Sequence, residues 1–302
     1  MSGSLLETIG NTPLIQLKLS QNLPATVWVK LESKNPGGSI KDRVAKFLLE
    51  RALHDGCITQ KTPIIESTSG NMGIGLALVA KQLGLHCILT MPESMSVERR
   101  KLLKALGAEL VLTKGAQGMQ GAVNKAKELA ESLGGYIPGQ FTNPWAIEAH
   151  YRTTGPEIWQ QLEHKVDVLV AGVGSGSSLM GTGRYLKEQN NKIKAIALEP
   201  ASSPVLSGGK PNAHGIQGIG ANFIPKIINL QFFDGILQVA DEEAISMART
   251  LCQEEGIICG ISSGANVACA LKLAQDPALQ GNNIVTFICD TGERYLSTAL
   301  FN

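Results

Sequence analysis

Val166-Asp167-Val168-Leu169-Val170-Ala171-Gly172-Val173-Gly174-Ser175-Gly176-Ser177-Ser178-Leu179-Met180-Gly181-Thr182-Gly183 runs from a short β-branched strand, through a glycine-rich bend, into a helical segment. A strand that feeds a helix through a tight turn is the repeating unit of a parallel sheet, because parallel neighbours need a crossover connection. The same alternation extends in both directions. Towards the N-terminus, strands are expected at 27–31, 63–66, 86–90 and 109–112, with helices at 42–55, 71–83, 95–106 and 118–133. The breaker-rich stretch 134–139 closes that series. Beyond it come the strand at 166–171, a helix at 178–189, a strand at 195–198, a long loop over 201–226, helices at 241–255 and 263–275, and a strand at 284–288. The fold class is therefore α/β, with two doubly wound parallel-sheet domains. The rule for such sheets places a site between them, at the carboxyl ends of the strands.

Composition narrows the function. The 302 residues carry a formal net charge of +1, without the basic stripe that nucleic acid requires. The longest apolar runs are strand-length and too short to cross a bilayer. Six cysteines (57, 87, 252, 259, 269 and 289) and five histidines (54, 86, 150, 164 and 214) show no CxxC or HExxH spacing, so no metal site is expected. The first residues, Met1-Ser2-Gly3-Ser4-Leu5-Leu6-Glu7, lack the basic and apolar regions of an export signal. Unpaired thiols then fit a reducing cytoplasm.

Four turns carry chemistry. Asn35-Pro36-Gly37-Gly38-Ser39-Ile40-Lys41-Asp42-Arg43 delivers Lys41 to the start of a helix, where backbone N–H groups and the positive dipole end disfavour an ammonium. A neutral amine is what attacks a carbonyl. A surface lysine after a loop is the plainer reading. Glu66-Ser67-Thr68-Ser69-Gly70-Asn71-Met72-Gly73 packs hydroxyls, an amide and backbone donors into one bend, as a carboxylate or phosphate cradle or as an ordinary helix cap. The bend at 172–183 brings main-chain N–H groups to an anion. It resembles a dinucleotide fingerprint only weakly, since no acidic residue follows in a clear strand context. Cys259-Gly260-Ile261-Ser262-Ser263-Gly264-Ala265-Asn266 offers a hydroxyl that caps a helix or meets a ring nitrogen. Together, one activatable lysine, a phosphate turn, a carboxylate turn and a hydroxyl describe a site for pyridoxal 5′-phosphate and an amino acid.

The chain also resembles the cysteine synthase (O-acetylserine sulfhydrylase) and cystathionine β-synthase family of fold-type II pyridoxal-phosphate enzymes. Ordered matches carry this nearly end to end: Ile9-Gly10-Asn11-Thr12-Pro13-Leu14, the 35–43 and 67–71 segments, Gln140-Phe141, Asn143-Pro144, 153–159, 174–178, Ile216-Gln217-Gly218-Ile219-Gly220-Ala221, 260–264 and 292–298. The resemblance implies a tryptophan synthase β-like fold, with a smaller mobile domain over 35–145 and a larger domain of 1–34 plus 146–302 that holds the phosphate. It implies that Lys41 forms the Schiff base and acts as general base. Gly174, Ser175, Gly176, Ser177 and Ser178 would hold the phosphate, Asn71 the ring 3′-oxygen and Ser262 the pyridine nitrogen. Thr68, Ser69, Gly70 and Gln140 would bind the substrate carboxylate, and Met72, in the same turn, would lie beside the substrate.

The implied reaction is β-replacement through an α-aminoacrylate, making L-cysteine and acetate from O-acetyl-L-serine and sulfide. Alternatives within the family are an O-acetylserine-dependent cystathionine β-synthase, a thiosulfate-using B-type cysteine synthase and a cysteine β-lyase (desulfhydrase). A homodimer and serine acetyltransferase as partner are likewise implied. The chain departs from the family pattern in three places: Met72 stands where Thr is common, Ser177 where Gly is common, and Trp145-Ala146-Ile147 where Asn-Pro commonly follows Asn143-Pro144. Met95-Ser96-Val97-Glu98-Arg99-Arg100 has the B-type style, whereas the 216–221 loop has the A-type and cystathionine-forming style.

Overall fold

The computed structural model describes residues 3–302. In chain order the elements are β1 (Leu14–Gln16), β2 (Thr26–Leu31), α1 (Lys41–His54), β3 (Ile64–Ser67), α2 (Asn71–Leu83), β4 (Cys87–Pro92), α3 (Val97–Ala105), β5 (Glu109–Thr113) and α4 (Gly118–Leu133). Then follow α5 (Trp145–Arg152), α6 (Thr154–Gln161), β6 (Val168–Gly172), α7 (Ser177–Gln189), β7 (Lys194–Pro200), β8 (Gly235–Val239), α8 (Asp241–Glu255), α9 (Ile261–Ala274) and β9 (Asn283–Ile288). The α/β class with parallel sheets agrees with the alternation read from the sequence. Among the described residues, no helix is long and apolar enough to cross a membrane, and no group of His, Cys, Asp or Glu is placed to hold a metal ion.

The chain divides into two compact units, one of residues 1–9 and 35–145 and one of 10–34 and 146–302. In the first, β3, β4 and β5 form a three-stranded parallel sheet in that order. The breaker-rich stretch after α4 returns along its edge: Tyr136 N–H donates to Pro63 O, and Ile65 N–H to Tyr136 O, each at 2.8 Å. β4 is buried at every residue, which is why it reads as a near-continuous apolar run, interrupted by Thr90, rather than an alternating one. Helix α2 is apolar almost throughout and buried over Met72–Ala80.

In the second unit the sheet order is β1-β2-β9-β6-β7-β8, parallel except for the antiparallel pair β1–β2. Its core includes Val27, Val29, Val170, Leu198, Ile284 and the wholly buried inner face of α9. Buried charges stand inside this unit, Lys30 among them. Lys30, fully buried on β2, pairs with Glu157 of α6 at 2.7 Å and donates to Thr12 O at 2.7 Å and Gln161 Oε1 at 2.8 Å. A buried ammonium is tolerated only when its donors are matched in this way.

The sequence reading leaves out β1, β8, α5 and α6, and it starts α9 two residues late. β1 has three residues, and β8 is an edge strand that opens on Gly235 and is largely half-exposed, so neither shows the buried apolar run of a central strand. α9 begins at Ile261 because Gly260 serves as its N-cap, with Gly260 O accepting from Ser263 N–H at 3.0 Å. The hydroxyls of Ser262 and Ser263 are thereby inside the first turn rather than capping it.

Candidate active site

In the first unit the candidate residues lie at two helix starts. Gly38, at φ +75°, turns the chain into α1, and a left-handed conformation is what glycine tolerates at no steric cost. Its N–H donates to Asn35 O at 2.7 Å, and the buried Asp42 carboxylate accepts the Gly37 N–H at 2.6 Å. A Cβ on Gly37 would collide with that carboxylate. Ser39 Oγ accepts the Lys41 N–H at 3.2 Å, so Lys41 is fixed as the first residue of α1, half-buried among buried neighbours Ser39, Ile40, Asp42 and Arg43. Helix α2 packs directly on it: a Cβ on Gly75 would stand 3.1 Å from Lys41 O and 3.1 Å from Ala45 Cβ.

β3 delivers the second turn. Gly70 is the N-cap of α2, its carbonyl accepting from Gly73 N–H at 3.0 Å, and its own N–H donates to Thr68 Oγ1 at 3.2 Å. Ser69 sits against Met95 Sδ at 2.9 Å, and Ser69 O accepts from Arg99 Nη1 at 3.3 Å. Thr68, Ser69, Gly70, Asn71 and Met72 are therefore contiguous around one helix N-terminus, where main-chain donors and the dipole favour an anion. Met72 is 2 % exposed, so its side chain belongs to the interior of this unit.

Sequence reasoning gave Glu66 no role, yet the structure makes it the link to Gln140. Glu66 is buried, and its carboxylate accepts from Ser67 N–H at 3.1 Å, from Gly139 N–H at 2.9 Å and from the Gln140 backbone N–H. Burial pushes its carboxyl up to about 7, and those three backbone donors offset only part of the desolvation. The available signal was a lone charge closing the apolar run Pro63-Ile64-Ile65. Cys87, on the neighbouring strand, is buried, and desolvation pushes its thiol up to about 12, which makes it an inert packing group rather than a nucleophile.

In the second unit, β6 ends in the bend that opens α7. Gly176 has φ +79° and caps the helix, and Ser175 and Ser177, both buried, have their hydroxyls 3.0 Å apart at its N-terminus. Two observations test this bend as a phosphate cradle. A Cβ on Gly174 would run into Gly218 O, and one on Gly218, at φ +102°, would lie 3.4 Å from Ser262 Oγ. The Gly174 bend is thus packed on the Gly218 backbone, and that backbone lies next to the Ser262 hydroxyl. The loop is pinned by Gly220 N–H to Val173 O at 2.9 Å and His214 Nε2 to Gly220 O at 2.8 Å. Asn266 Oδ1 accepts the Gly172 N–H at 2.8 Å and ties α9 to the end of β6. Neutral donors at a helix N-terminus, with a buried neutral hydroxyl at Ser262 beside the same loop, fit a phosphorylated aromatic cofactor.

Comparison with known proteins agrees with that fit. The profile of the family described as pyridoxal-phosphate dependent enzyme matches residues 5–290. A cysteine synthase of Staphylococcus aureus is 48% identical over 301 residues, covering 99% of this chain and 97% of that protein. The crystal structure of cysteine synthase (OASS) from Entamoeba histolytica superposes with TM-score 0.97 at 41% identity, covering 100% of this chain and 91% of that one. The O-acetylserine-dependent cystathionine β-synthase of Helicobacter pylori does so with TM-score 0.93 at 41% identity, covering 100% and 99%.

Proposed function

The chain belongs to the pyridoxal-phosphate-dependent enzymes, and from that premise we propose that it makes L-cysteine and acetate from O-acetyl-L-serine and sulfide by β-replacement. The observation that carries this reading is the pairing of a glycine- and serine-built anion cradle at 174–178 with a hydroxyl, rather than a carboxylate, at Ser262.

The cofactor, when bound, supplies an electron sink for the charge that develops at Cα of the amino acid. Gly174, Ser175, Gly176, Ser177 and Ser178 hold its phosphate through N–H groups and hydroxyls. Ser262 would meet its ring nitrogen with a neutral hydroxyl instead of a carboxylate, a partner that would favour elimination at Cβ over transamination. Asn71 would meet the ring oxygen, and Lys41 Nζ would hold the aldehyde carbon. As a free neutral amine, Lys41 would take the Cα proton of the amino acid as general base. Thr68, Ser69, Gly70 and Gln140 bind the substrate carboxylate. Met72 contributes through its backbone, in keeping with its buried side chain. The residues of 35–145 move as the smaller domain, while 10–34 and 146–302 belong to the unit that holds the phosphate. The enzyme works in the cytoplasm as a homodimer, with serine acetyltransferase as a further partner.

The test is product analysis by mass spectrometry with O-acetylserine paired in turn with sulfide, thiosulfate and homocysteine. Sulfide should give L-cysteine and acetate at the highest rate. Cystathionine from homocysteine as the dominant product, or sulfide and pyruvate from cysteine with no synthesis, would overturn the assignment.

A further inference from the structure

Glu66 is a buried carboxylate with no cation beside it; among the described residues its partners are backbone N–H groups alone, two of them in the Gly139-Gln140 loop 73 residues away. An ionised carboxylate in such a place is costly unless its lone pairs are matched, and N–H groups that donate to a charged oxygen are held more tightly than those that donate to a neutral one. The same residue stands directly before the Ser67–Gly70 turn. We propose that Glu66 is a positioning residue for the amino-acid substrate: by holding the Gly139 and Gln140 amides from the end of β3, it fixes the Gln140-bearing loop relative to the Thr68–Gly70 turn. The inference rests on the reading above that these two segments bind the substrate carboxylate.

Proton uptake would turn one acceptor oxygen into a hydroxyl facing an amide donor, and so would loosen the loop. The groups that share the field of Glu66 are the Cys87 thiol on β4 and the Tyr136 phenol in the 134–140 segment. Helix α4 turns Ala126, Leu129 and Ala130 to this sheet, and its Lys125 pairs with Glu128 at 2.6 Å. Helix α2 carries only Lys81, exposed in its last turn. Cys87 stays a thiol through neutrality, its thiol pushed up to about 12, and Tyr136 is raised above the ordinary phenol range by burial. Glu66 is therefore the group of this cluster that changes charge near neutrality.

The test uses the cofactor-loaded enzyme and Glu66→Gln, whose amide offers one acceptor oxygen and sets a donor against the loop. The expected result is a rise of about tenfold in KM for O-acetylserine with kcat changed by less than about twofold, the pattern of lost substrate grip rather than lost chemistry. Hydrogen-exchange protection of the Gly139 and Gln140 amides should fall by about tenfold or more. In the wild type, protection and KM should follow the same course as pH falls from about 8.5 to about 6, and Glu66→Asp should recover part of the effect. Unchanged KM and protection would overturn the inference, as would a fall in KM, which would mean that Glu66 merely repels the substrate anion. Should the Gln variant fail to fold, the wild-type exchange profile decides alone. Failure of the functional reading is separate: the wild type would then make no cysteine, whatever the exchange data show.

Discussion

Glu66 displays the conflict between stability and function most plainly at the residue scale. Its native carboxyl lies at about 7, against 4.5 for an unburied one, so between those values the folded protein binds a proton that the unfolded chain does not. Stability from this group is fully present below the lower value and is lost as pH rises through the higher. The shift corresponds to on the order of 3 kcal/mol. Denaturant melts from about pH 5 to about pH 8.5 should show stability declining with pH in the wild type and flattening in Glu66→Gln; parallel profiles would contradict the assignment. The ionised form that grips the loop is thus the less stable one, a trade-off common at functional positions. Ser177 is a further buried polar residue, 1 % exposed, with its hydroxyl 3.0 Å from that of Ser175.

Among elements, the contact between α1 and α2 decides where Lys41 stands. Gly75 lies one turn beyond Asn71 in α2, and its missing side chain admits the Lys41 carbonyl. Gly75→Ala would gain up to about 1 kcal/mol of helix propensity and lose about 1–3 kcal/mol to crowding, so net stability should fall by about 0–2 kcal/mol. The start of α1 must give by a few tenths of an ångström, and kcat should fall more than stability does, since misplacing a reacting group is costly. Unchanged kcat would show that α1 tolerates the shift. This contact also marks where sequence reading ends. β2, β4 and β9 are legible because their buried β-branched runs announce them, and α2 because glycine caps both its ends. β8 is not legible, since a half-exposed edge strand opening on glycine resembles a loop. The packing role of Gly75 is equally silent, because a glycine in a helix does not name its neighbour.

On the scale of the whole molecule, the chain distributes its candidate chemistry over two units built on one plan, strand into glycine turn into helix. The unit of 1–9 and 35–145 carries Lys41 and the 67–72 turn, and the unit of 10–34 and 146–302 carries the 174–178 cradle and Ser262. That plan was legible because turn residues and helix starts are local signals. The Glu66 link to Gly139 spans 73 positions, and the Lys30 link to Gln161 spans 131; no window of sequence contains either pair. The central claim is that Lys41 is the lysine that holds the cofactor, and it is tested most directly by borohydride reduction of the purified protein followed by peptide mapping. The account predicts a reduced pyridoxyl-phosphate adduct on Lys41, absent from Lys41→Ala. An unmodified Lys41, or an adduct on a different lysine, would contradict it.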